Sequence, residues 1–415
     1  MRAPSLFVWF PIALALLDCT NKPQGDAGVV LSSTSSESTG DPTGGSGKGC
    51  GDGTPAPGDF CFKNVPMPTL TSPLAAAGGY LDGETHATFV VLTQLTDELI
   101  TIDHTQGKLF QGAAVKIGHH AERQLRFANF EGSIHPELVV TSVNGSSGAL
   151  PNEGGVLGPF KEFDLPGMVG LGRLVPIDID GDGFSEVIKG TNDTARLWIG
   201  EGGKWLLQEP SFSVEGCKVL WDAAVGDFNR DGLEDVAFIG SSNSWDAGGE
   251  CDPIPTMRIK VVLATGDSAL LKEVGSIPTG QTSAQIVTGD LDGDGVLDLA
   301  VASGLDEGVI ALKGQGDGQF AAPVQVVNDG QRVLIGDYDG DGIQELATNR
   351  YTPDALVAQI WFIDTVFNEA TLHQVDGANA LLLASTDING DGVDDLATMS
   401  ILDPGPHFAI LISEN

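Results

Sequence analysis

The sequence predicts an all-β protein: a seven-bladed β-propeller with four-stranded blades, closed by an N-terminal strand. Three observations predict it. A unit of apolar strand, acidic glycine-rich loop and second apolar strand recurs seven times. The units start 49, 49, 49, 63, 47 and 50 residues apart. The last unit stops one strand short, while a spare apolar segment precedes the first.

Five copies of the unit are clear: "DIDGDGFSEVI" from Asp178, "DFNRDGLEDVA" from Asp227, "DLDGDGVLDLA" from Asp290, "DYDGDGIQELA" from Asp337 and "DINGDGVDDLA" from Asp387. Two worn copies keep the register, "YLDGETHATFV" from Tyr80 and "NFEGSIHPELV" from Asn129. Each unit has room for four strands. Around Asp290, "AQIVTG" enters the loop and "LDLAVAS" leaves it, followed by "GVIALKG" and "FAAPVQVV". All four are rich in Val, Ile, Leu and Phe and bounded by turn residues, as strands are. A solenoid is the competing repeat architecture, but unit length and count suit ring closure better.

The ends carry the closure. "HFAILIS" (His407 to Ser413) is a third strand with no fourth after it. "FCFKNVPMP" (Phe60 to Pro68) resembles fourth strands such as "FKEFDLPG" from Phe160, and is expected to complete the last blade.

Residues 1–19 read as an export signal. Arg2 precedes an apolar run, Leu6 to Leu17, that is too short to span a bilayer. It ends at Leu16-Leu17-Asp18-Cys19, which resembles a bacterial lipobox; Asp18 departs from the small residue that pattern prefers. Lipidation at Cys19 and an outer-membrane-attached, periplasmic or cell-surface location are the expectations. Residues 20–59 are rich in Gly, Ser and Thr, and read as a flexible tether. The propeller takes 60–415. Apart from Cys19, the four cysteines Cys50, Cys61, Cys217 and Cys251 suit two disulfides in an oxidising compartment.

Acidic residues outnumber basic ones 57 to 21, for a net charge of −36. That excludes nucleic acid as a partner, which needs clustered Lys and Arg, and limits membrane contact to a lipid anchor. Much of the acidity lies in the five loops, which read Asp-x-Asp/Asn-x-Asp-Gly-x-x-Asp/Glu. Calcium takes six to eight oxygen ligands, and alternating carboxylates in a tight loop supply them. Side chains at positions 1, 3, 5 and 9 and the carbonyl of position 7 form the expected set. They are Asp178, Asp180, Asp182, Phe184 and Glu186; Asp227, Asn229, Asp231, Leu233 and Asp235; Asp290, Asp292, Asp294, Val296 and Asp298; Asp337, Asp339, Asp341, Ile343 and Glu345; Asp387, Asn389, Asp391, Val393 and Asp395. Position 6 is Gly throughout (Gly183, Gly232, Gly295, Gly342, Gly392), where the sharp turn calls for φ > 0. Position 4 is Arg230 in one loop, expected to point outward.

An EF-hand opens in the same way but needs a Glu at position 12 and flanking helices. Position 12 here is Lys189, Phe238, Val301, Thr348 and Thr398, and the flanks are strand-like. Polar hairpin turns use the same residues, yet five copies with one acidic spacing favour calcium, about five ions. The Tyr80 and Asn129 copies, which lack the position-6 Gly, read as plain turns.

These loops, with "GQGDGQF" (Gly314 to Phe320), resemble FG-GAP/VCBS repeats, the type that builds the integrin α-subunit head. The resemblance covers 60–415 and implies fold and metal. It implies less about function, because such propellers serve adhesion, ligand binding and scaffolding.

Loops joining the first and second strands of a blade share one face, and the calcium loops are of that type. The 63-residue interval holds an insertion, "SSNSWDAGGECDPIPT" (Ser241 to Thr256), expected on the opposite face. Cys217 falls on the same face, which makes a Cys217–Cys251 disulfide feasible; Trp245 in this loop either presents itself for ligand contact or folds back onto its own blade. Cys50 and Cys61 are expected to close a second small loop. The seven His (86, 104, 119, 120, 135, 373 and 407) form no His-Glu-x-x-His, and no Gly-x-Ser-x-Gly elbow, P-loop or dinucleotide fingerprint appears. The expected function is a binding or adhesion module for a protein or glycan ligand, not an enzyme. A polysaccharide-processing enzyme and a structural scaffold are the alternatives.

Overall fold

The computed structural model describes residues 59–413 except 83–86, 119–122, 131–133, 143–146, 167–173, 192–193, 202–203, 214–218, 242–256, 267–270, 281–282, 304–307, 353–356, 369 and 401–406. Cys19, Cys50, Cys217, Cys251, His119, His120, Trp245 and the insertion from residue 242 to 256 lie outside the described residues, so of the two expected disulfides only Cys61 is described, and it is buried. The described chain is all-β and forms a seven-bladed propeller with four-stranded blades.

Blades 1 to 5 follow chain order, each an antiparallel meander. Blade 4 is typical: Val219–Gly226, Asp235–Ser241, Met257–Ala264 and Leu271–Gly280. Its second strand shows why the sequence reads as unbroken apolar runs. Val236 and Phe238 pack toward blade 3, while Ala237 and Ile239 pack toward blade 5. A strand buried on both faces shows no apolar–polar alternation.

Blades 6 and 7 share one long strand, Thr371–Thr386. Thr371 to Val375 pair with Val357–Asp364 as the outer strand of blade 6. Ala380 to Thr386 pair with Asp395–Ser400 as the inner strand of blade 7. The fourth strand of blade 7 is Phe62–Thr71, lying antiparallel on His407–Ser413 with Phe62 opposite Ser413 and Met67 opposite Phe408. It begins two residues after Phe60 and continues three beyond Pro68, longer than the segment marked in the sequence. The outer strand of blade 2 is shorter than its sequence suggests, only Lys161–Glu162.

Among the described residues the core is seven apolar clusters, one between each pair of neighbouring blades. One of them joins the last blade to the first, packing Ala384, Ala397, Phe408 and Ile410 against Phe89, Val91, Ile100 and Ile102. Phe60 and Phe62 enter the cluster between blades 6 and 7 and stack on Phe362, with ring centroids 5.1 and 5.0 Å away.

Candidate metal loops

Each of the five acidic loops connects the first and second strands of its blade, so all five lie at one end of the ring. Local chemistry folds them alike. The Asp at position 1 accepts the position-6 N–H through Oδ2, at 2.7–3.0 Å in the five loops. The Asp at position 5 accepts the position-7 N–H at 2.8–2.9 Å. Position 6 has φ between +75° and +91°, where a Cβ is strained.

Three loops bring carboxylate oxygens within 4.8 Å of one another: Asp337, Asp339, Asp341 and Glu345; Asp178, Asp180 and Glu186; Asp290, Asp292 and Asp294. Asp292 Oδ1 is buried without a partner. An orphaned carboxylate oxygen inside an all-oxygen donor set fits a hard divalent cation such as calcium. In the loops at Asp227 and Asp387 the position-3 residue is Asn. Its amide donates to the position-5 carboxylate at 2.9 Å, giving Asn229–Asp231 and Asn389–Asp391 pairs.

The position-9 acids, expected to act alike, divide by length. All five accept the N–H of position 2, at 2.8–3.1 Å. The three Asp side chains give their second oxygen to the backbone as well: Asp235 to Ala264 N, Asp298 to Gly314 N and Asp395 to Ser413 N. They are fully buried staples between the loop and the third strand. Glu186 and Glu345, one methylene longer, instead reach the carboxylate clusters.

Electrostatics agrees with a need for positive charge. Burial, with neighbouring carboxylates adding to it, pushes Glu345 up to about 9 and Glu186 and Asp395 up to about 7. Asp235, Asp298 and Asp339 rise to about 6 for the same reasons. A carboxyl whose charge is disfavoured by like charges recovers it when a cation arrives.

Position 8 carries a role not anticipated from the sequence. Its side chain reaches the backbone of the preceding loop: Glu234 accepts Asp178 N at 2.7 Å, Gln344 accepts Asp290 N at 2.9 Å and Asp394 accepts Asp337 N at 3.2 Å. Ser185 does the same for Asn129 N at 3.1 Å. In two of these four loops a glycine just before position 1, Gly289 or Gly336, makes room for the approach. At Gly336 a Cβ would lie 2.5 Å from the Asp394 carboxylate. Blade 5 uses packing instead: its position 8 is Leu297, whose methyl sits 2.5 Å from where a Cβ on Gly226 would be. The loops are thus linked blade to blade. The available signal was that position 8 is polar in four of the five loops.

Arg230 does not point idly outward. It adopts φ +62° and donates to the Asp294 carbonyl of the next loop at 3.2 Å. At the worn copies, side-chain amides take up backbone carbonyls: Asn129 stands at position 1, where the intact loops have Asp, and Asn152 reaches in from a later strand. Asn129 Nδ2 donates to Gly183 O at 2.6 Å, and Asn152 Nδ2 to Leu81 O and Pro136 O at 2.7 and 3.0 Å. Glu137 still staples Phe130 N, at 2.9 Å.

A family profile described as FG-GAP-like repeat matches residues 178–238 and 290–348. No curated protein matches the chain. Among solved structures, BBS1N in complex with ARL6DN is similar at 12% identity, covering 85% of this chain and 96% of that one, with TM-scores of 0.54 for the lead-soaked crystal and 0.55 for the mercury-soaked one. An Agrocybe aegerita lectin that recognises non-reducing terminal N-acetylglucosamine aligns at 16% identity over 76% of this chain and 81% of that one, with a TM-score of 0.49. The BBS1N likeness concerns the fold. Profile, topology and loop chemistry together identify the chain as a seven-bladed β-propeller carrying FG-GAP-like repeats.

Proposed function

We propose that the protein is a calcium-stabilised binding module, a binder rather than a catalyst, in which the acidic loops fasten the ring and a ligand is taken elsewhere. The observation that carries this reading is the way the loop carboxylates are spent. Buried position-9 acids hold backbone N–H groups, and position-8 side chains hold the neighbouring loop, so loop geometry and ring integrity are one structure. Clustered carboxylates repel one another, and a cation that binds only the folded loop stabilises the fold by linkage. Calcium would be held by the position 1, 3 and 5 side chains, joined by Glu186 and Glu345 in their loops.

The lipobox-like Leu16–Cys19 and the Gly/Ser/Thr-rich tether support an extracytoplasmic module anchored by lipid. The recognition surface in this reading is the face opposite the acidic loops, where the insertion carrying Trp245 falls by sequence, and its ligand is a protein or a glycan. Thermal melting tests the metal: a chelator should lower the transition and calcium in excess should restore it. A melt indifferent to both would sink structural calcium. A glycan array probed with and without calcium tests recognition, and binding lost on Trp245→Ala with an unchanged melt supports the face assignment.

A further inference from the structure

The five loops are not equivalent, and the difference lies one residue outside the motif. In each blade, the residue after position 9 pairs with a residue of the third strand: Val187 with Trp198, Val236 with Val262, Leu299 with Leu312, Leu346 with Ile363 and Leu396 with Leu411. The next third-strand residue is therefore the same position in every blade. It is Ile199, Leu263, Lys313, Asp364 and Ile412. Three are apolar; the two charged ones sit in adjacent blades and have opposite sign.

Lys313 is placed where a cation is wanted. Its ammonium donates to Asp292 Oδ2 and lies 3.0 Å from Asp294 Oδ2, joining two of the three carboxylates clustered in the blade 5 loop. Arg230 adds a second positive group from blade 4, on the Asp294 carbonyl. In blade 6 the register position that Lys313 fills in blade 5 holds Asp364, an acid, beside a loop that already gathers four acids.

We propose that the Lys313 ammonium is the resident cation of the blade 5 loop, so that this loop is closed by the chain itself and takes calcium last, whereas the blade 6 loop takes it first. The inference rests on the calcium reading above and grades its sites. A divalent ion entering blade 5 must displace the amine from oxygens it needs, since one ammonium cannot share Asp292 Oδ2 and Asp294 Oδ2 with a metal at bonding distance. A charge-assisted hydrogen bond of this kind weakens a competing ligand by about tenfold.

Equilibrium dialysis of the full-length protein against radioactive calcium tests this. Wild type should show four tighter sites and a fifth weaker by about tenfold or more. Lys313→Met should strengthen the fifth site by a similar factor, and Asp290→Asn added to it should remove that site and leave the others. In chelator, Lys313→Met should melt below wild type, with the gap closing in excess calcium. Asp364→Lys is a second, independent variant and should cost one tight site. A Lys313→Met isotherm that overlays wild type, or an unchanged number of tight sites in Asp364→Lys, overturns the proposal. Five equal sites in wild type overturn it while leaving calcium binding intact. No calcium uptake by wild type overturns both readings.

Discussion

The strand Phe62–Thr71 completes blade 7, and Phe62→Ala measures how much of the ring depends on it. Phe62 is buried at 6% exposure and stacks on Phe362 at 5.0 Å, beside Phe60, which stacks on the same ring and on His373 at 4.5 Å. Truncating a buried Phe to Ala costs about 3–5 kcal/mol. Folding entropy near 2.1 cal/mol/K per residue gives roughly 0.7 kcal/mol/K for a propeller of this length. The melting temperature should therefore fall by about 4–7 °C. Adding Phe60→Ala should lower it further but by less than the sum, because both rings rest on Phe362. Differential scanning calorimetry is the assay, with Leu95→Ala at 73% exposure as the neutral control. A Phe62→Ala shift within the control's error would falsify the view that this strand seals the ring. Removal of residues 59–71 gives a second reading: a synthetic peptide of that sequence should restore the melt in trans.

Two further outcomes follow from the loops. In chelator, stability should rise as pH falls. Asp235, Asp298, Asp339, Glu186, Asp395 and Glu345 have folded values of about 6 to 9, above their unfolded values, so the stability they contribute is full below about 4 and is lost as pH climbs through 6 to 9. Calcium at saturation should flatten or invert that trend, and a chelated melting temperature that rises with pH in this window would contradict the assignment. Asp395→Asn should destabilise by about 1–3 kcal/mol, since one of two buried N–H groups, Ile388 or Ser413, loses its acceptor. Chemical denaturation checks it, and a change under 0.5 kcal/mol would mean the staple is dispensable.

Much of the architecture was legible because it repeats. The acidic spacing marks the first-to-second strand turn in five blades, and it depends only on neighbours within nine residues. The closing strand was legible from a count, a missing fourth strand at one end and a spare at the other. The linkages at position 8 were not. Glu234 meets Asp178 across 56 residues and Asp394 meets Asp337 across 57, so the partner is set by how two blades pack. Lys313 was hidden for a related reason: nothing about "VIALKG" marks it until the third strand is laid in register beside the loop. The divided behaviour of Asp and Glu at position 9 was visible as letters, but its meaning needed the Ala264, Gly314 and Ser413 N–H groups that the shorter acid reaches.

The pairing of Phe62 with Ser413 also sets a clock on assembly. Phe62–Thr71 has no partner until His407–Ser413 has been made, so it must wait unpaired while the blades between them are synthesised. Contacts this distant in sequence are slow to form and leave intermediates prone to association. Pairing strands this far apart gives a checkpoint in return: a product truncated before His407 lacks the third strand of blade 7, leaves Phe62–Thr71 unpaired, and is set apart from the finished ring by an exposed edge.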